Sequence, residues 1–181
     1  MKLNLGCGLN KLEGFTNVDV DPEVKPDVVC DFVKDKLPFD PGSAELVVMY
    51  HTIEHIPKKY HGALLANIRN ILADDGRLVI SFPEFKEIAQ NWIDNKQGQR
   101  EFWEATIYGR QASASDFHVS LMDSHQFSFV LNNLGFKIDK CVPEPNQPFN
   151  TVIKASKDLL YTYKDWVKET VWTEQPLQPT S

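Results

Sequence analysis

The sequence predicts an α/β fold, a doubly wound and mostly parallel sheet of seven strands with helices on both faces. Short β-rich runs alternate with helix-patterned segments from end to end. The first strand runs straight into a Gly-x-Gly turn, a junction suited to a sheet that binds at its strand ends. The length of 181 residues, with 42% hydrophobic and 24% charged residues, fits one globular domain. We place that domain at 1–156 and a C-terminal helix with a frayed tail at 157–181.

The strands are expected at Lys2 to Leu5, Thr16 to Val20, Asp27 to Cys30, Ala44 to Tyr50, Arg77 to Phe82, Phe136 to Val142 and Thr151 to Ala155. Between the fourth and fifth, Leu64, Leu65, Ile68, Ile71 and Leu72 form one helical face over Lys58 to Leu72, which Asp74-Asp75-Gly76 should end. Lys86 to Tyr108 repeats the helical period through Ile88, Ala89, Trp92 and Ile93 and again through Phe102, Trp103 and Ile107. Gln97-Gly98 breaks it, so one bent helix or two are expected. Asp123 with Gln126 reads as a capping box opening a helix over Ser124 to Leu134, and Gly135 stands where a left-handed residue ends it. In the tail, Leu160, Tyr163, Trp166, Val167 and Val171 share a helical face that would dock on the domain or serve a homodimer.

Several function classes are disfavoured. The apolar runs fall far short of the roughly 20 residues that cross a bilayer, and no secretory signal is evident, so a cytoplasmic location is expected. Three widely spaced cysteines, Cys7, Cys30 and Cys141, suit neither a disulfide framework nor a CxxC metal site. A net charge of −6 without a basic cluster argues against nucleic acid as a partner.

The chemistry concentrates near the N-terminus. In Leu3-Asn-Leu-Gly-Cys-Gly8 the turn lacks bulky side chains, so a ligand can lie against the backbone. The second strand ends in Asp19, whose carboxylate can accept both hydroxyls of a ribose in the crevice beyond the strand ends. Asp21, followed by Pro22, is ordinary turn chemistry.

LNLGCGLNKLEGFTNVDVDP, CDFVKDKLPFDPGSAELVVMYHTIEHIP and LADDGRLVISFPEF resemble the successive motifs of class I S-adenosylmethionine (SAM)-dependent methyltransferases, particularly the type-11-like group. A weaker similarity continues through Ile107-Tyr-Gly-Arg-Gln, Asp116-Phe-His118 and Leu134-Gly-Phe136. The resemblance implies a Rossmann-like sheet with an antiparallel last strand. It also implies that Gly6, Cys7 and Gly8 lie under the methionine part of SAM, that Asp19 holds the ribose, and that Val20, Asp31 and Phe32 meet the adenine. Asn4 stands where the family commonly has Asp, orienting the glycine loop, and His51 stands at the mouth of the crevice. The implied function is methyl transfer to oxygen or nitrogen of a small molecule, a displacement that calls for no metal. A non-catalytic SAM-binding module is the alternative.

Two departures from the family pattern stand out. Asn10 replaces the third glycine, and only about ten residues separate the first two strands, near the lower limit for a parallel crossover, so the first helix should shrink to a turn or two. The chain as given also begins at the first strand, so a lid is expected from residues 86 to 126, where Trp92, Phe102, Trp103 and Tyr108 could line an acceptor pocket. For proton transfer the candidates are His51 and His118. His51-Thr-Ile-Glu-His55 also fits the H-x-x-E-H pattern of a zinc hydrolase, a less favoured reading because His51 directly follows a strand. Glu54 and His55 otherwise read as a hydrogen-bonded pair opening the next helix.

Overall fold

The computed structural model describes residues 1–112 and 116–161. Seven strands form one sheet: β1 (Lys2–Leu5), β2 (Thr16–Asp19), β3 (Val28–Val29), β4 (Ala44–Tyr50), β5 (Leu72–Pro83), β6 (Phe136–Glu144) and β7 (Gln147–Lys157). Their order is β3-β2-β1-β4-β5-β7-β6. The first five strands pair parallel, and β7 lies antiparallel between β5 and β6. The expected sheet, including its reversed last strand, is therefore present. Strand order reverses between β1 and β4, which places a ligand crevice beyond their C-terminal ends.

The apolar side chains dictate this layering. Leu3, Leu5, Val18, Val47, Met49, Ile80 and Phe82 are wholly buried in the sheet, as strands covered on both faces require. Helix α1 (Lys58–Ile71) presses Leu64, Leu65, Ile68 and Ile71 onto it, and α4 (Ser124–Asn133) adds Phe127 and Leu131. At α4 the Asp123 carboxylate accepts from the Gln126 N–H at 2.8 Å, and Gly135 beyond its end has φ +80°.

Two expectations change. Asp74-Asp75-Gly76 does not end α1; the helix stops at Ile71, and these residues belong to a longer β5. The β4–β5 register shifts between Ala44 and Leu46, so the extra residues are accommodated as an irregularity in the ladder. The β1–β2 crossover contains no helix at all, only turns. Polar side chains hold it instead: Asn17 Oδ1 accepts from the Leu12 N–H at 2.8 Å, and Asn4 Nδ2 donates to the Asn10 carbonyl at 3.1 Å. Lys86 to Tyr108 takes the second of its two expected forms, two helices, α2 (Phe85–Ile93) and α3 (Arg100–Tyr108), with a 3-10 turn over Lys96–Gly98. The expected C-terminal helix lies largely outside the described residues, as does the dimer contact assigned to it.

Candidate active site

The C-terminal edge of the parallel strands collects the polar residues that the core excludes. At the end of β1, Gly6 (φ +71°) and Gly8 (φ +48°) shape the turn. The Gly6 and Cys7 N–H groups both donate to the Val18 carbonyl, at 2.8 and 3.1 Å. A Cβ on Gly6 would stand 2.2 Å from the Thr52 side chain, whereas one on Gly8 would meet nothing within 4 Å. Gly6 is thus needed for packing, and Gly8 fronts open space.

Asp19, at the end of β2, closes this turn. Its Oδ2 accepts from the Gly8 N–H at 2.7 Å and its Oδ1 from the Asp21 N–H at 3.0 Å. Each oxygen keeps a second lone pair for a ligand hydroxyl. Val20 follows with 42% of its surface exposed. Asp21 accepts from the Glu23 N–H and caps a 3-10 turn, as turn chemistry requires. Beyond β3, the Asp31 carboxylate accepts from the Val33 N–H and pairs with Lys34 at 2.7 Å. Burial works to raise its pKa, but the Lys34 partner and these amides hold it below the usual carboxylate value. Phe32 beside it packs partly against the core.

His51 leaves β4 in the left-handed conformation, φ +51°, and its N–H donates to the Ser81 carbonyl at 2.9 Å. The H-x-x-E-H stretch is therefore not one helix: only Ile53–His55 forms a 3-10 turn before α1. The His51 side chain is 39% exposed, with Nδ1 at 3.3 Å from Glu54 Oε1 and Nε2 at 3.7 Å from Glu144 Oε2. Burial alone would lower its pKa, but the carboxylates of Glu54 and then Glu144 outweigh it and raise the imidazole above 6.5. Asn150, at the start of β7, stands 3.4 Å from the same ring. Sequence reasoning missed Glu144 and Asn150 because the reversal of β7 alone brings them to this edge. It also missed Thr52, whose hydroxyl lies 3.1 Å from the Leu5 carbonyl and locks β4 to β1.

The expected Glu54–His55 pair is replaced by two other contacts. Glu54 faces His51, and His55 Nδ1 bonds to the Phe117 carbonyl at 3.0 Å. Residues 116–122 return over this turn: the Val119 and Ser120 N–H groups both donate to the Glu54 carbonyl, at 2.9 and 3.0 Å. His118 arrives with them, its ring centroid 4.8 Å from that of His55. Burial lowers its pKa below 6.5, against an opposing pull from Glu54. A small cavity bordered by helix α2 and the returning loop touches Glu54, Phe85, Ile88, His118 and Met122. The helical aromatics divide: Trp103 is buried against Phe149 at 5.1 Å, while Trp92, Phe102 and Tyr108 remain largely exposed.

A family model described as a methyltransferase domain matches residues 6–140. The chain belongs to the methyltransferase-domain family. The match spans the glycine turn, the β2 carboxylate and the His51–His55 segment, and it meets the expectation of a class I methyltransferase. The fold of this methyltransferase is shared widely among solved structures. A SAM-dependent methyltransferase from Methanosarcina mazei is similar with a TM-score of 0.62 and 15% identity, over 86% of this chain and 91% of that one. One from Archaeoglobus fulgidus has a TM-score of 0.61 and 17% identity, over 86% and 85%. The glycopeptide N-methyltransferase MtfA, solved with SAM, has a TM-score of 0.58 and 15% identity, over 86% and 80%. At these identities the likeness is one of fold. No curated protein matches the methyltransferase by sequence.

Proposed function

We propose that this methyltransferase moves the methyl group of SAM to an oxygen or nitrogen of a small molecule. The observation that carries the reading is the juxtaposition at the β1–β4 switch point: a glycine turn with open space at Gly8, and the Asp19 carboxylate bonded to that glycine's amide. This cradle fits a nucleoside-bearing donor. In this reading Gly6, Cys7 and Gly8 lie along the methionine part, Asp19 takes the ribose, and Val20, Asp31 and Phe32 border the adenine. Asn4 is a positioning residue, since its buried amide holds the Asn10 carbonyl and Asn17 rather than open space.

SAM supplies a methyl group on an already activated sulfonium; the acceptor's lone pair forms the new bond as the carbon–sulfur bond breaks. The chain's own tasks are alignment and exclusion of water, which together are worth up to roughly 7–11 kcal/mol. A hydroxyl or ammonium acceptor must also lose a proton. His51, fixed at a strand end beside the cradle, is the proton acceptor in this reading. His118 is the second candidate and borders the cavity with Glu54. A small acceptor rather than nucleic acid suits a chain of net charge −6 without a basic cluster.

Incubation with methyl-labelled SAM and a panel of small amines, phenols and acids tests the proposal. Labelled product is expected, with S-adenosylhomocysteine formed in equal amount. A raised thermal midpoint with SAM but no product from any acceptor favours the non-catalytic module. His51→Ala should slow turnover by about 10²-fold or more if it accepts the proton, and a change within threefold returns that role to His118 or to alignment alone.

A further inference from the structure

Glu54 is an unusual polar residue among those described. It is 1% exposed, and neither of its carboxylate oxygens accepts a hydrogen bond among the described residues. The neighbouring His51 nitrogen, 3.3 Å from Oε1, lacks hydrogen-bond alignment. A carboxylate buried in this way is costly unless something cationic meets it. Besides His51, two imidazoles approach: one ligand atom each from Glu54, His55 and His118 lie within 4.8 Å of one another.

The His55 imidazole is held as metal-binding histidines are held. His55 directs Nδ1 at the Phe117 carbonyl at 3.0 Å, which leaves Nε2 with its lone pair. A backbone carbonyl on one ring nitrogen fixes the tautomer and orientation of the other, the usual support for a ligating histidine. The backbone is braced to match, because the amides of Val119 and Ser120 close on the Glu54 carbonyl and Ser120 Oγ donates to the Ile56 carbonyl at 2.7 Å.

We propose that Glu54, His55 and His118 form a binding site for a divalent transition-metal ion of the zinc type. Two nitrogens and one carboxylate suit zinc and its first-row neighbours rather than magnesium or calcium, which take oxygen ligands. Tetrahedral ligands on zinc stand roughly 3.4 Å apart, so the three side chains close by about an ångström as the ion enters. Three protein ligands leave one position open, for water or for an oxygen or nitrogen of an acceptor. The ligand set is not that of the H-x-x-E-H hydrolases, since His118 takes the place of His51. The site uses His118, the second candidate base of the methyl-transfer reading, and metal binding tests it independently of turnover.

Full-length protein stripped with a chelator is titrated with zinc chloride in competition with a chromogenic zinc chelator, with metal content confirmed by mass spectrometry. One zinc per chain is expected. His118→Ala and Glu54→Gln should each weaken binding at least tenfold, whereas His51→Ala, His125→Ala and Cys141→Ser should leave it within twofold. If Glu54→Gln does not fold, His118→Ala and His55→Ala decide, each checked for an unchanged thermal midpoint without metal. Absence of stoichiometric zinc, unchanged affinity in His118→Ala, or loss of binding in His51→Ala overturns the proposal.

Discussion

At the scale of single residues, the two neighbouring acids Asp19 and Asp21 do different work. Asp19 is buried and bonded to the glycine turn, whereas Asp21 caps a surface turn. Asp19→Ala should weaken SAM binding by about 1.5–3 kcal/mol, the scale of a charge-assisted hydrogen bond, and Asp21→Ala should hardly change it. Equal losses in calorimetric titrations would mean that Asp19 does not face the ribose. His61 offers a separate test, of stability. Its Nε2 sits 2.7 Å from the Ile56 carbonyl and 3.1 Å from that of Ile53, and burial lowers its pKa below 6.5. The folded state therefore resists a proton that the unfolded chain accepts. This contribution to stability is complete well above pH 6.5 and is lost as the pH falls through 6.5 towards the folded-state pKa. Urea unfolding at pH 7.5 and 5.5 should show a smaller acid loss in His61→Gln, which keeps an N–H donor but does not titrate.

At the scale of elements, α4 shows how local chemistry and packing combine. The Asp123 carboxylate satisfies one orphan N–H of the first turn, and Phe127 and Leu131 anchor the face below it. Asp123→Ala should cost about 0.5–2 kcal/mol, and Leu131→Ala about 2–5 kcal/mol because it opens a cavity in a close-packed interior. Chemical denaturation measures both, and the reverse ranking would show that the cap rather than the core holds this helix. The first crossover is the counter-example. Without a helix behind the glycine turn, no helix N-terminus faces a bound anion there, and the turn depends on Asn4, Asn17 and Asp19 for its shape.

At the scale of the whole molecule, one sheet edge gathers residues from distant parts of the chain. Gly8 and Asp19 come from the N-terminal half, Glu144 and Asn150 from the β6–β7 hairpin, and His118 from a loop between helices. The cysteines report on the intactness of this arrangement. Cys7 and Cys30 are buried, and burial raises the Cys30 thiol to about 11, while Cys141 is exposed on β6. A thiol reagent at neutral pH should modify one cysteine in the native protein and three after denaturation, read by mass spectrometry. Early modification of Cys7 would show that the glycine turn opens in solution.

By itself the sequence determined the seven strands, the capped α4, the glycine turn and the strand-end carboxylate. Each of these is written in contiguous residues, as a period of two or 3.6, a capping pair, or an apolar run meeting glycine. Tertiary structure decided the rest. That β5 begins at Leu72 depends on pairing with Ala44, which overrides the turn signal of Asp74-Asp75-Gly76. That Glu54 faces His51 while His55 turns to Phe117 depends on a 3-10 turn and a returning loop. Glu144 and Asn150 reach His51 only because β7 runs against the sheet. Spacing along the chain carries no trace of such contacts, since they are set by which strand ends share an edge and by which loop returns over them.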